Sequence, residues 1–163
     1  MPVIAVHHLH AHKRPCARIW VQSTRQRDHV KPLTQAPLAH YLLAEQQLQQ
    51  CVQHAKHTLL LLHHTHHIQG FALCTEQDDV ATLHYLAVDS KYWNQGIAGQ
   101  LLEKLPEHAQ SQGWQQLMLE VYLDNLSATR LYKRYGWHET GNPRTHPRTR
   151  KLLQAYQLIL GTA

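Results

Sequence analysis

Residues 92–102, with the sequence YWNQGIAGQLL, join a short polar turn to the start of a helix. The stretch before them, residues 81–88, predicts a strand, and apolar residues recur at helical spacing from Ile97 onward. The first amides of such a helix have no partner inside it, and the helix dipole favours negative charge there. Because positions 96, 98 and 99 are glycine or alanine, a phosphate can approach the backbone. The stretch therefore predicts an anion-binding turn.

A glycine turn alone is compatible with several nucleotide-binding patterns. The Walker pattern requires a Gly-Lys-Ser/Thr ending, and no lysine directly follows these glycines. The Rossmann pattern requires a third glycine and an acidic residue about twenty positions further on. Glu120 lies at a tolerable distance, but the chain lacks the repeated strand–helix units of a doubly wound sheet. Neither pattern accounts for the stretch.

The sequence after the turn favours a third interpretation. Residues 115–122 predict a second strand, and residues 124–137 then read DNLSATRLYKRYGW. These features resemble the GNAT superfamily, the acyl-CoA-dependent N-acetyltransferases. The family motif Gln/Arg-x-x-Gly-x-Gly/Ala falls on residues 93–98, and Asn-x-x-Ala-x-x-x-Tyr-x-x-x-Gly-Phe falls on residues 125–137. Two residues depart from these motifs, because tryptophan replaces Gln/Arg at position 93 and Phe at position 137.

The resemblance implies a single α+β domain of GNAT fold. Its mixed central sheet would have about six or seven strands flanked by helices. The strands at residues 81–88 and 115–122 would splay apart to leave a gap. We expect the N-acetyltransferase domain to occupy residues 16–163, with residues 1–15 as an N-terminal extension or an extra strand at residues 3–6.

The resemblance also implies acetyl-CoA as co-substrate and a primary amine, on a small molecule or on a protein or peptide, as acceptor. The pantetheine arm would pair with the backbone of Leu86, Ala87 and Val88, and the Val88 amide would also serve the oxyanion. Asn125 would hydrogen-bond the pantetheine or simply cap the following helix. The pyrophosphate would rest on the amides of the turn, at Asn94, Gln95, Gly96, Ile97, Ala98 and Gly99.

Three side chains are candidates for proton transfer. Tyr132, at the position of the family's tyrosine, is the candidate general acid, because a phenol is neutral at pH 7 and can donate to the departing sulfur. His84 and Glu120 are rival candidates for the general base. His84 could instead be a tolerated strand residue, and Glu120 a structural partner for an arginine. A water chain with no single base is a further alternative.

Composition limits the remaining function classes. A chain of 163 residues with 43% hydrophobic residues predicts one globular domain. The longest apolar run, residues 59–62, is too short to cross a membrane, and three scattered cysteines are typical of a reducing cytoplasm. A net charge of +5 suggests anionic partners such as coenzyme A. The basic residues between 144 and 151 are more typical of a solvated loop than of a nucleic-acid-binding surface. We expect a cytoplasmic protein with no nucleic-acid or membrane partner, and homodimer formation stays open.

The chain has sixteen histidines, and eight of them lie in residues 7–12 and 63–67. On a strand, alternate histidines of the first cluster would share one face and could bind zinc or nickel. Glutamine is equally over-used, however, and a loose tract rarely supplies the groups that orient metal ligands, so we expect no physiological metal site. A non-catalytic CoA-binding module, which the departure at Trp93 would favour, and a histidine-rich metal-binding protein are the alternative functions.

The remaining elements follow from local patterns. Residues 17–21 alternate and predict the first strand of the sheet, whereas residues 25–55 are helical in tendency, with breaks at Pro32 and Pro37. Pro106 predicts a kink in the helix after the glycine turn. Further strands are predicted at residues 58–62, 70–74, 137–140 and 152–160.

Overall fold

The computed structural model describes residues 2–28 and 36–161, which build one seven-stranded sheet with helices on both faces. The strands are β1 (Val3–Val6), β2 (His57–His64), β3 (Ile68–Gln77), β4 (Val80–Val88), β5 (Gln116–Tyr122), β6 (His138–Thr145) and β7 (Leu152–Ile159). The helices are α1 (Lys13–Arg27), α2 (Leu38–Gln53), α3 (Ile97–Ser111) and α4 (Leu126–Arg134). Short 3-10 turns lie at His10–His12 and Ser90–Tyr92. The predicted α+β fold is confirmed.

The sheet has the strand order β1-β2-β3-β4-β5-β7-β6. Strands β1 to β4 form an antiparallel meander, whereas β4 and β5 run parallel and are connected through α3. Parallel neighbours need such a crossover connection. Within the described register, β4 and β5 are bridged at one residue pair, Thr82 opposite Met118. Beyond this pair the two strands separate toward their carboxyl ends, as predicted.

Each face of the sheet has its own hydrophobic core. On one side, which we call the α3 face, residues of α3 and α4 pack on the sheet, and Leu101, Leu102 and Leu105 are at most 2% exposed. On the other side, the α1 face, the core comes from α1, α2 and strands β2 to β4. In the part of the chain that the structure describes, this second core does not extend over β5, β7 and β6.

The prediction of a strand at residues 17–21 is wrong. These residues lie inside α1, and the first strand of the sheet is β1, for which the sequence allowed either a strand or an extension. Five alternating residues are too few to separate a period of 2 from a period of 3.6. Helix α2 confirms the second half of the predicted helical region, whereas Pro32 lies outside the described residues.

The other elements agree more closely with the sequence. Strands β2 and β3 form the predicted hairpin, and helix α3 continues without interruption through Pro106. Strand β6 extends to Thr145, further than predicted, because it pairs with the start of β7 after an irregularity between Thr140 and Arg144. No helix among residues 2–28 and 36–161 is both long and apolar enough to span a membrane.

Strand β4 contains a β-bulge at His84. Leu83 pairs with Cys74, and Tyr85 pairs with Leu73, so His84 has no partner residue on β3. Leu83 belongs to the α3-face core, whereas Tyr85 packs on the α1-face core. The extra residue thus changes which side chains of β4 point to which face, and bulges of this kind often lie next to active sites.

Candidate functional site

The turn before α3 presents unpaired backbone amides. Gly96 precedes the helix with φ +79°, and Asn94 also has a positive φ of +63°. The first hydrogen bond of the helix runs from the Gln100 amide to the Gly96 carbonyl at 3.0 Å. The amides of residues 97–99 therefore have no partner within the helix. This arrangement, together with the helix dipole, suits a phosphate group.

Gly99 is needed for close packing. A Cβ at this position would clash with the Tyr135 hydroxyl and would lie 3.1 Å from Tyr135 Cζ. Tyr135 follows the last turn of α4, so the start of α3 and the end of α4 are in direct contact. This contact fixes the position of the turn before α3 relative to α4, the helix that carries Tyr132.

The edge of β4 that faces the gap has free backbone groups. The Asp89 amide donates to the Gln69 carbonyl at 2.8 Å, and in an antiparallel pair such bonds recur at every second residue. Ala87 therefore directs its backbone to β3, whereas Leu86 and Val88 direct theirs toward β5. Because β5 has separated from β4 at this level, the Leu86 and Val88 groups face the gap.

Trp93 folds back onto the same edge. Its indole Nε1 donates to the Val88 carbonyl at 2.7 Å, and the side chain is 36% exposed. The residue that departs from the family motif thus fixes the turn to the end of β4. The Val88 amide does not take part in this bond.

Tyr132 lies on the α3 face beneath the gap. Its ring contacts those of Trp137 and Tyr156, with centroid distances of 5.9 and 6.5 Å. Burial raises the pKa of the Tyr132 phenol to about 12, and nearby Cys74 adds to the shift. The hydroxyl has no hydrogen-bond partner within residues 2–28 and 36–161. At the start of the same helix, the Asn125 Oδ1 accepts from the Ala128 amide at 3.3 Å and caps α4.

His84 projects from the bulge onto the α1 face. Its Nε2 lies 2.8 Å from the hydroxyl of Thr75, a buried residue of β3. Although the side chain remains partly open to solvent, desolvation by the surrounding strands lowers the pKa of the imidazole below its ordinary value. The ring is therefore neutral at pH 7. Its Nδ1 has no partner in the described part of the chain.

Glu120 forms a two-pronged ion pair with Arg144. Arg144 Nε lies 2.5 Å from Glu120 Oε2, and Arg144 Nη2 lies 2.7 Å from Oε1. Strand β7 lies between β5 and β6, and its residue opposite Glu120 is the small Ala155, over which the arginine can reach. The two side chains are 54% and 40% exposed for Arg144 and Glu120, respectively. Glu120 thus has an arginine partner, which was the structural alternative to its role as general base.

His84 and Glu120 lie on opposite sides of the gap. Each is two residues beyond the bridging pair, Thr82 and Met118, and each points to the α1 face. Tyr132 approaches from the other face. His84 and Glu120 therefore flank one opening on the α1 face, and Tyr132 lies on the opposite face of the sheet. A cavity of about 570 Å³ lies at the amino-terminal end of β5, away from this opening.

Two histidines of the β2–β3 hairpin contact residues next to the glycine turn that precedes α3. His63, only 5% exposed, places its ring nitrogens 2.8 Å from Gln69 Oε1 and 2.8 Å from Gln100 Oε1 in the first turn of α3. His67 Nε2 lies 2.7 Å from the Tyr92 hydroxyl. Residues 10–12 form a 3-10 turn, so the shared strand face that was considered for these histidines does not form. No group of three or more metal-ligating side chains able to hold an ion occurs among the described residues.

Sequence reasoning missed Thr75 and His63 as members of this region, and it considered Arg144 only as part of the basic loop at residues 144–151. Arg144 belongs to the basic cluster that the sequence shows, but only the register of β5, β7 and β6 reveals that it reaches Glu120. Thr75 and His63 are buried polar residues inside apolar strands, and burial of a polar side chain usually requires a partner. A polar residue inside an apolar strand therefore indicates that a hydrogen-bond partner exists, but it does not show which residue that partner is.

Known proteins were compared with this chain. The model of the Acetyltransferase (GNAT) family matches residues 16–137. A ribosomal-protein-bS18-alanine N-acetyltransferase from Haemophilus ducreyi is 38% identical over 87 residues, which are 53% of this chain and 60% of that protein. The match thus spans less than two thirds of that relative.

Solved structures match over almost the whole chain. A GNAT-family acetyltransferase from Desulfovibrio desulfuricans has a TM-score of 0.72 at 16% identity and covers 98% of this chain and 99% of its own. The ribosomal-protein-S18-alanine N-acetyltransferase from Escherichia coli has a TM-score of 0.67 at 24% identity, covering 99% and 96%. At these identities the likeness is one of fold.

Proposed function

The chain belongs to the GNAT family of acetyltransferases, and from this premise we propose that it transfers the acetyl group of acetyl-CoA to a primary amine. The gap between β4 and β5 carries the proposal. The free backbone groups of Leu86 and the free amide of Val88 line one side of it, and the amide-rich turn lies at its end. An extended pantetheine arm can pair with such a strand edge, and a pyrophosphate can accept hydrogen bonds from the turn.

The remaining cofactor contacts follow from this placement. We assign the pyrophosphate to residues 94–99, where Gly96 supplies the required φ. Ala87 lies between Leu86 and Val88 beside the pantetheine arm. It does not hydrogen-bond the arm, because its own backbone groups are bonded to β3. Since Asn125 Oδ1 caps α4, its amide nitrogen is the group left to donate to pantetheine. The Val88 amide, which points into the gap, is the donor for the oxyanion.

Tyr132 is assigned as the general acid. In the proposed reaction the amine nitrogen bonds to the thioester carbonyl carbon, and the carbon–sulfur bond then breaks. The phenol, kept neutral by its raised pKa, gives its proton to the departing sulfur. A hydroxyl without a protein partner is free to do so.

His84 is assigned as the general base in preference to Glu120. If Nε2–H donates to the Thr75 hydroxyl, Nδ1 carries the free lone pair that takes the amine proton. Both carboxylate oxygens of Glu120 accept charge-assisted hydrogen bonds from Arg144, so neither is free to take the amine proton. Glu120 then serves to hold the acceptor as an ammonium ion before proton transfer.

A cytoplasmic location is part of the proposal. The three cysteines are free, which is typical of a reducing compartment. A relative named for its action on a ribosomal protein supports the same location.

The first test is calorimetric titration with acetyl-CoA, followed by a thiol-release assay with a panel of primary amines. We expect saturable binding and release of CoA, and we expect Tyr132→Phe to bind acetyl-CoA with unchanged affinity. Its kcat should fall by about 10²- to 10³-fold, the range for loss of a general acid. Tyr135→Phe, which removes a hydroxyl from the end of the same helix, is the matched control and should retain kcat.

Three outcomes are informative. Binding with no release from any amine would favour a CoA-binding module without turnover. Absence of binding at millimolar acetyl-CoA would overturn the proposal. An unchanged kcat in Tyr132→Phe would remove Tyr132 from the mechanism and leave the activity standing.

A further inference from the structure

The Glu120–Arg144 pair lies on the acceptor side of the gap and is open to solvent. Its two side chains are 40% and 54% exposed, and exposed ion pairs contribute little to stability. The pair can therefore be opened by a ligand. Its geometry is nevertheless specific, because both prongs of the guanidinium contact one carboxylate. Such a fork recognises carboxylates and phosphates.

We propose that the acceptor is a primary amine that carries its own carboxylate. The acceptor's carboxylate takes the place of Glu120 on the Arg144 fork, and its ammonium group pairs with the released Glu120. One ion pair is thus exchanged for two, and no charge loses its partner. This inference rests on the proposed function. A free amino acid and a peptide whose first or second residue is acidic both have the required chemistry.

The charges around Arg144 support an anionic acceptor. Arg148 and Arg150 lie in the loop after β6 and are exposed, and their side chains have no carboxylate partner among residues 2–28 and 36–161. Lys151 holds the loop to the sheet, since its Nζ lies 3.2 Å from Asp124 Oδ2 and 5.6 Å from the Tyr122 ring centre. The loop that carries the two arginines is therefore anchored at the end of β5.

A cationic acceptor would meet the opposite situation. Its ammonium group could pair with Glu120 only by leaving Arg144 without a counter-charge beside two further arginines. Like charges brought together in this way discriminate against a ligand. The loop thus selects for a carboxylate and also against additional positive charge.

The test is the thiol-release assay with three amidated peptides that differ at their second residue: Ala-Asp-Ala-amide, Ala-Asn-Ala-amide and Ala-Lys-Ala-amide. Alanine and alaninamide form a second pair, which separates free amino acids from peptides. We expect kcat/KM to be highest for the aspartyl peptide or for alanine. Arg144→Gln should lower that value by about 10- to 100-fold, the range of a charge-assisted hydrogen bond. In the same Arg144→Gln variant, kcat/KM for the lysyl peptide should rise, because Glu120 then has no arginine partner.

Arg134→Gln is the matched control, since it removes one positive charge from the end of α4 on the other face. It should leave the preference unchanged. Equal kcat/KM values for acidic, neutral and basic peptides would overturn this inference and leave the acetyltransferase standing, as would a preference that survives Arg144→Gln. If acetyl-CoA binds but no amine is acetylated, the proposed function fails and this inference falls with it.

Discussion

The two sides of the β4–β5 gap present their polar groups in different ways. On the cofactor side the groups belong to the backbone, at Leu86, Val88 and the turn before α3. On the acceptor side they belong to exposed side chains, namely His84, Glu120 and Arg144. Backbone donors are set by topology and by a few glycines, so we expect the proposed cofactor side to tolerate a change such as tryptophan at position 93. Acceptor choice depends on a few side chains, each of which a single substitution can alter.

The largest expected effect tests the division of labour on the acceptor side. His84→Gln should lower kcat by about 100-fold or more, because general base catalysis typically contributes at least that factor. Glu120→Gln should raise KM for the acceptor and change kcat little. Steady-state thiol release with both substrates varied separates the two parameters. The reverse pattern, with kcat lost in Glu120→Gln, would make Glu120 the base.

The pH profile provides a second readout for His84. Because desolvation lowers its pKa, the ring stays neutral, and able to accept a proton, to a pH below the ordinary value of about 6.5. Activity limited by His84 should therefore be lost only as pH falls below that value, once the acceptor's own ionisation is accounted for. An acid limb that persists unchanged in His84→Gln would belong to another group.

The next effect is on the cofactor side, where Gly99 and Gly96 are required for different physical reasons. At Gly99 a Cβ would collide with Tyr135, and overpacking of this kind destabilises by about 1–3 kcal/mol. At Gly96 a Cβ meets no atom within 4 Å, but φ is +79°, and an L residue there costs about 1–2 kcal/mol. Gly99→Ala should lower the free energy of unfolding and also weaken acetyl-CoA binding.

Chemical denaturation and calorimetry measure these two quantities. Tyr135→Phe in the Gly99→Ala background removes the clashing hydroxyl and should restore part of the lost stability. A double variant no more stable than Gly99→Ala would show that the two residues are not coupled in this way.

The same contrast explains how much the sequence could predict. The glycine turn, the tyrosine helix and the β2–β3 hairpin are local patterns with fixed spacing, and the structure contains all three. The gap also follows, because a parallel pair joined through a helix is implied once the motifs are recognised. These features depend on backbone geometry, which short sequence patterns determine.

The errors arise where contacts are non-local. Residues 17–21 resemble a strand over five positions, and only the packing of the whole of α1 on the sheet makes them helical. The sequence left His84 and Glu120 open as rival bases, and the proposed preference for His84 rests on a bulge in β4 and on an arginine from β6, at the far edge of the sheet. No spacing rule connects residues 120 and 144.

The smallest predicted effect concerns the histidine-rich hairpin, which extends the cofactor side beyond the turn itself. His63 bonds Gln69 on β3 and Gln100 in the first turn of α3, so it fixes the helix that carries the phosphate-binding amides. His63→Leu keeps the site apolar and buried but leaves both carboxamides without this partner, at a cost of about 1–3 kcal/mol in stability. Acetyl-CoA affinity should fall several-fold, whereas acetyl-pantetheine, which has no pyrophosphate, should bind as before. His66→Leu, in the exposed turn of the same hairpin, should change neither. If the affinities for both ligands fall equally, His63 supports the sheet as a whole. A loss of affinity confined to acetyl-CoA would place the hairpin within the cofactor side of the gap.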